Sequence, residues 1–145
     1  MFRRKPELEL LLGHPGGPLF ARRDEGSWSI LKGLIEDDAD PLATAKREFF
    51  EETSFVVPDG ARFFDLGTVK LKSGKLVYGF AFEGDCDPGC CKSNLFELEW
   101  PRGSGRIRSF PEIDRVAFFD CARAKRKLNP AQVPFVDRLQ TLLAR

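Results

Sequence analysis

Lys32-Gly-Leu-Ile-Glu-Asp-Asp-Ala-Asp-Pro-Leu-Ala-Thr-Ala-Lys-Arg-Glu-Phe-Phe-Glu-Glu-Thr-Ser-Phe55 is the stretch around which the chain is organised. It begins as a loop: Gly33, a run of acids, then Asp40-Pro41. Asp40 is a good N-cap, and Pro41 falls at the first helical position, where its missing N–H costs nothing. Leu42, Ala43, Ala45, Lys46, Arg47 and Glu48 are helix formers. The pattern predicts a helix from about Pro41 to Thr53. Glu48, Glu51 and Glu52 stand at i, i+3 and i+4, so three carboxylates share roughly a 100° arc, with Leu42, Ala45 and Phe49 on another side.

Like charges at this spacing repel by a few tenths of a kcal/mol per pair, roughly. A hard divalent cation reverses that penalty. Mg²⁺ takes oxygen ligands, keeps several waters and is commonly shared between carboxylates and substrate phosphates. Read alone, a charged face opposite an apolar one is also what any surface helix shows, and Lys46 and Arg47 could simply offset the glutamates.

At 145 residues, with 42% hydrophobic and 12% aromatic content, the chain is expected to be one domain spanning 1–145 with a real core. Its 23 basic and 22 acidic residues give a net charge near +1. No global field draws it to nucleic acid or an anionic membrane; the balance suits a small anionic ligand held by local charges. Neither a signal peptide nor an apolar run long enough to span a bilayer is read in the sequence. Four cysteines are present. Cys86-x₃-Cys90-Cys91 is not a standard zinc spacing, Cys121 lies apart, and reduced cytosolic thiols are the default reading.

Gly33, Arg47, Glu48, Phe49, Glu51, Glu52 and Phe55 match, in order and spacing, the box of the Nudix hydrolases, which the chain resembles. His-Pro-Gly-Gly-Pro at 14–18, Trp28 to Gly33, Phe-Glu-Leu-Glu-Trp-Pro at 96–101 and Phe-Pro-Glu-Ile-Asp-Arg at 110–115 extend the likeness over nearly the whole chain. It implies an α/β fold, a Nudix-like α/β/α sandwich with a mixed β-sheet. Three positions depart. Ala39 stands where the box has its first Glu, Ser54 where it has a Gly, and Leu31 where Pro is common. Ser54 is expected to end the helix less neatly than Gly, which readily takes the left-handed conformation there. Glu36, Asp37, Asp38 or Asp40 could stand in for the missing acid.

Along the chain, residues 7–13 read as a strand entering the core. His14 is either a ligand contact or a satisfied polar residue at a strand end. Gly16-Gly17 could admit a substrate or only turn the chain. Trp28-Ser29-Ile30 reads as a short strand. Residues 62–71 and 75–83 flank Lys72-Ser73-Gly74 as a hairpin whose second strand is expected to be buried on both faces. In Phe96–Trp100, strict alternation puts Glu97 and Glu99 on one strand face. Pro101 to Ser109 carries Arg102, Arg106 and Arg108 among glycines and suits either a lid over phosphates or an ordinary loop. No aromatic platform is evident beside those arginines. A strand at 116–119, a helix capped by Asp120 and a final amphipathic helix at 131–143 complete the chain.

The resemblance implies a pyrophosphohydrolase dependent on Mg²⁺ or Mn²⁺ that cleaves a nucleoside diphosphate linked to another moiety. Glu48, Glu51 and Glu52, with the Gly33 carbonyl, would hold metal, and Arg47 would hold the carboxylates by ion pairing. Lys32 would meet a phosphate or is simply an exposed lysine. Glu97 or Glu99 would add a ligand or a general base, or face solvent. The ligand would be a small nucleotide diphosphate derivative, with no membrane or nucleic-acid partner, a cytoplasmic location and room for a homodimer. The departures Ala39, Ser54 and Leu31 motivate an alternative, a catalytically weakened module that binds a nucleotide or a protein.

Overall fold

The computed structural model of the protein describes residues 1–4, 6–31 and 40–145. The helix expected over 41–53 is α1, Pro41–Thr53. The Asp40 carboxylate accepts from the Leu42 N–H at 3.2 Å, which satisfies one of the orphan donors of the first turn. At the other end Ser54 adopts φ 65°, and its N–H donates to the Phe50 carbonyl. Serine thus takes the left-handed conformation expected of glycine. Its hydroxyl donates to the Lys92 carbonyl at 2.6 Å, a bond glycine could not make. The helix ends as tidily with Ser54 as with the residue it replaces.

The central sheet has β1 (Phe2–Arg4), β2 (Leu8–Pro15) and β7 (Ile113–Asp120) in the order β1-β2-β7, antiparallel throughout. The hairpin β3 (Phe64–Lys70) and β4 (Leu76–Ala81) joins it through β1. There the Phe2 N–H donates to the Phe82 carbonyl at 3.0 Å and the Gly84 N–H to the Phe2 carbonyl at 2.9 Å, a parallel contact. The paired strands are antiparallel, and among the described residues two isolated bridges, Phe2–Glu83 and Trp28–Leu128, are parallel. Trp28 and Ser29 make single bridges rather than a strand, Ser29 to Gly13 and Trp28 to Leu128.

Alternation along β2 shows the layering. Leu10 and Leu12 enter one core cluster, with Phe135, Val136 and Leu139 of α3 (Val133–Leu143). Leu11, between them, enters a second cluster with Phe49 of α1. Successive strand residues point to opposite faces, so one helix covers each side of the sheet. On the α1 side Phe49 meets Phe82 edge to face, centroids 5.2 Å apart. A short helix α2 (Cys121–Lys127), capped by Asp120 on the Arg123 N–H at 2.8 Å, links β7 to α3.

Two further expectations change. β4 is not buried on both faces: Val77, Gly79 and Ala81 face the core, whereas Leu76 and Tyr78 are exposed. The hairpin lies at the margin of the sheet, so only one face finds a partner. The arginine-bearing segment 101–109 is no separate lid. Residues 100–106 are the tight tip of a ribbon formed by β5 (Leu95–Glu99) and β6 (Ile107–Pro111), with Trp100 N–H donating to the Arg106 carbonyl at 2.9 Å.

Candidate active site

The glutamates of α1 do not form a solvated face. They grade inward. Arg47 has 52% of its side chain exposed, Glu51 35% and Glu48 14%, and Glu52 is buried beside Phe49 and Thr53. Burying carboxylates costs free energy unless partners compensate. Arg47 supplies part of that compensation, with one guanidinium nitrogen 3.2 Å from Glu48 and another 3.0 Å from Glu51. It is a clamp on two acids, the ion-pairing role expected for it.

The crowding leaves a signature on Glu48. Burial pushes its carboxyl above the ordinary range, and the negative charges of Glu51 and Glu112 push the same way against Arg47. Glu112 is the acid that sequence reasoning left without a role. It sits between β6 and β7, where its N–H donates to the Asn94 carbonyl at 2.9 Å and its carbonyl accepts from the Gly16 N–H at 3.0 Å. Two ladders therefore fix its backbone next to α1.

The helix end is tied to that same junction. The Glu51 carbonyl accepts from the Asn94 N–H at 2.8 Å and the Thr53 carbonyl from the Lys92 N–H at 3.0 Å. The Cys91 thiol lies 3.6 Å from the Glu52 carbonyl. These bonds satisfy the carbonyls that a helix leaves unpaired in its last turn. They also hold Glu48, Glu51 and Glu52 in fixed register to Glu112. Cys86, Cys90, Cys91 and Cys121 are free thiols, and burial raises the pKa of Cys86, Cys91 and Cys121.

Glu97 and Glu99 do not join the cluster. In the β5–β6 ladder Phe96 and Leu98 lie opposite Phe110 and Arg108 and share one face, and just before it the Asn94 carbonyl accepts from the Glu112 N–H. Glu97 and Glu99 have the opposite parity and lie on the exposed outer face. Glu99 is occupied there: its carboxylate accepts from the Gly103 N–H and braces the ribbon tip. On the other face Arg108 lies over the ring of Phe110, 5.6 Å from its centroid. His14 is structural. It is fully buried, with Nε2 donating to the Arg23 carbonyl at 2.6 Å, Nδ1 2.9 Å from Asp114, and the ring edge-on to Trp28. Lys32 and Gly33 lie outside the described residues, as does Ala39.

The donors fit a hard cation held through one or two carboxylates, with water and phosphate oxygens completing its shell. They are oxygen donors crowded enough to raise the proton affinity of Glu48 against the pull of Arg47. Among the described residues, no group of three or more His, Cys, Asp or Glu side chains is placed to hold a metal ion, so an ion here would take much of its shell from water and substrate. An open set of this kind suits a site that shares its ion with a substrate.

Comparison with known proteins agrees with this fold. The family model of the NUDIX domain matches residues 2–139. An Ap4A hydrolase of C. elegans, solved as a binary complex, has the same fold with a TM-score of 0.67 and 15% identity, covering 99% of this chain and 93% of that one. The NUDIX domain of Shewanella oneidensis NrtR, complexed with ADP ribose, gives 0.65 and 16%, covering 98% and 82%. A mutT/nudix family protein from Listeria innocua gives 0.57 and 15%, covering 96% and 83%. A search of curated protein sequences finds no match. The match of nearly the whole chain to the family model, together with a helix that keeps Arg47, Glu48, Glu51 and Glu52 in register, makes this chain a member of the NUDIX family and a phosphoanhydride hydrolase.

Proposed function

We infer that the protein is a pyrophosphohydrolase dependent on Mg²⁺ or Mn²⁺, acting on a nucleoside diphosphate linked to a second group. The observation that carries this reading is the inward gradient of Glu51, Glu48 and Glu52 with Glu112 adding charge to Glu48. Carboxylates crowded at the cost of their own solvation are characteristic of functional sites. When bound, a divalent cation neutralises the diphosphate and lowers the pKa of water. Glu48, Glu51 and Glu52 are the residues that would hold it. Arg47 fixes the orientation of the Glu48 and Glu51 carboxylates. The group that takes the proton from the attacking water would come from these acids or from Glu112 nearby. Glu97 and Glu99 are assigned no part in that step, because they face away.

Of the departures that favour a weakened module, Ser54 carries no weight, since it closes α1 in the required conformation. The test is phosphate release from Ap4A, ADP-ribose and nucleotide sugars, with Mg²⁺ and then Mn²⁺, for wild type beside Glu52→Gln. Metal-dependent turnover in wild type that falls by about a hundredfold in the variant supports the reading. Absence of turnover across the panel, or equal turnover in the variant, contradicts it.

A further inference from the structure

Glu112 sits where the chain turns from β6 into β7, and its carboxylate is only as well aimed as its backbone is held. Two peptide planes meet at its Cα. The first carries the Glu112 N–H, which donates to the Asn94 carbonyl at 2.9 Å. The second carries the Glu112 carbonyl, which accepts from the Gly16 N–H at 3.0 Å, and the Ile113 N–H. Ile113 is buried, so its N–H needs a partner inside the protein. That partner is a side chain: the half-buried Ser93 hydroxyl accepts it at 3.0 Å.

Ser93 lies between two residues that are bonded to the last turn of α1. The Lys92 N–H donates to the Thr53 carbonyl at 3.0 Å, and the Asn94 N–H donates to the Glu51 carbonyl at 2.8 Å. A hydroxyl offers one donor and two acceptor lone pairs. Ser93 donates to the Asn94 carbonyl at 3.0 Å, the same carbonyl that holds the Glu112 N–H, with Asn94 Oδ1 at 3.3 Å as a second acceptor. A lone pair of the same oxygen receives the Ile113 N–H. One hydroxyl thus links the segment anchored on α1 to the peptide plane that follows Glu112. Alanine at this position would keep the bond through Asn94 and release the second plane on one side.

Resting on the hydrolase reading of the glutamates, we propose that Ser93 is a positioning residue for the reaction, its hydroxyl setting the Glu112 carboxylate against Glu48 and Glu51 of α1. Ser93 touches neither substrate nor metal in this assignment and acts through Glu112. The negative charge of Glu112 reaches Glu48, where it works against Arg47. Holding both planes at the Glu112 Cα keeps that charge at one distance from α1. Without the hydroxyl the Cα gains freedom, and the carboxylate spreads over more positions. Misplacing a group by about 1 Å at a reacting centre costs up to about a hundredfold in rate, and loss of one restraint among several costs part of that.

The test is a double-mutant cycle of Ser93→Ala and Glu112→Gln in the full chain, with Ser93→Thr as the variant that keeps a hydroxyl. It is read by hydrolysis of whichever of Ap4A, ADP-ribose and nucleotide sugars wild type turns over fastest, and by calorimetric titration with Mn²⁺. Far-ultraviolet circular dichroism confirms that each variant is folded. Ser93→Ala is expected to lower kcat by about tenfold with KM within about twofold of wild type, and Ser93→Thr to recover most of the rate. On the Glu112→Gln background, Ser93→Ala is expected to cost less than about twofold, because the residue it acts through is already gone. Equal losses on both backgrounds, a wild-type rate in Ser93→Ala or in Glu112→Gln, or a loss that threonine does not recover overturns the proposal. Absence of wild-type turnover sinks the hydrolase reading instead, and the Mn²⁺ titration then decides for Ser93. Weakening of Mn²⁺ binding by Ser93→Ala only where Glu112 is present upholds its positioning role. No weakening, or the same weakening on both backgrounds, overturns it.

Discussion

Two places in this protein bury polar side chains, and they do so in opposite ways. Around His14, each buried group meets a complementary one: His14 with the Arg23 carbonyl and Asp114, and Gln132 with the Ile30 N–H at 2.9 Å and the Ser29 hydroxyl at 3.1 Å. On α1 and beside it, Glu48, Glu51, Glu52 and Glu112 gather acids near acids, with Arg47 pairing with Glu48 and Glu51. The first arrangement stabilises the native state. The second works against it at Glu48, where burial and the neighbouring acids push the carboxyl up, and it suits a positive group brought from outside. Polar burial by itself therefore marks nothing; the sign and pairing of the buried groups separate scaffold from site.

The largest effect that could break this contrast is catalytic. Glu48→Gln and Glu52→Gln should each lower hydrolysis by about a hundredfold or more. Urea unfolding of the same variants should show stability unchanged or slightly higher, because like-charge repulsion of a few tenths of a kcal/mol, roughly, is relieved. A variant that loses activity and stability together would place the glutamates in the scaffold.

The mirror experiment is His14→Ala, expected to cost about 3 kcal/mol in the same unfolding assay, since it opens a cavity and strands Asp114 and the Arg23 carbonyl. Gln132→Ala should cost about 1–2 kcal/mol, by loss of its bonds to Ile30 and Ser29. Little change in either would remove the scaffold half of the comparison.

Acid titration sharpens the difference because the two regions have opposite signs. Asp24 is held below the ordinary carboxylate range by its hydrogen bonds to Lys127 and Trp28. It contributes stability above its unfolded value, and that contribution is lost as pH falls through its lowered folded value. Glu48 is raised, so it penalises the folded state as pH rises from its unfolded value through its folded one, and acid relieves the penalty. Comparing stability with pH for wild type, Asp24→Asn and Glu48→Gln without metal should give differences of opposite slope. The smallest effect belongs to Ser54→Gly, expected within about 0.5 kcal/mol of wild type: the gain in left-handed backbone offsets the lost bond to Lys92. A large gain would mean that Ser54 strains the end of α1.

Much of the fold was legible in the sequence because it is written locally. The bounds of α1 follow from Asp40-Pro41 and helix formers, and the β3–β4 hairpin from Lys72-Ser73-Gly74. Burial was legible only in part. A helical projection places Glu52 among charges, yet the neighbouring Phe49 and Thr53 carry it inward with the sheet-facing side. The exposed face of β4 depends on where its hairpin sits in the sheet, which alternation cannot state. Glu112 escaped notice for the same kind of reason. Its motif, Phe-Pro-Glu-Ile-Asp-Arg, was visible, but its meaning lies in a register that brings Asn94 and α1 beside it. Parity along β5 separated Glu97 and Glu99 from Phe96 correctly, but only the structure shows which face is exposed.

The most direct test of the central claim is the thermal unfolding midpoint of wild type and Glu48→Gln, each measured with and without excess Mn²⁺. If the crowded carboxylates are a cation seat, the metal binds the native state and raises the wild-type midpoint by several degrees, while the variant starts no lower and gains far less. Equal shifts in both proteins, or none in wild type, would contradict the claim that the glutamates of α1 are gathered around a metal.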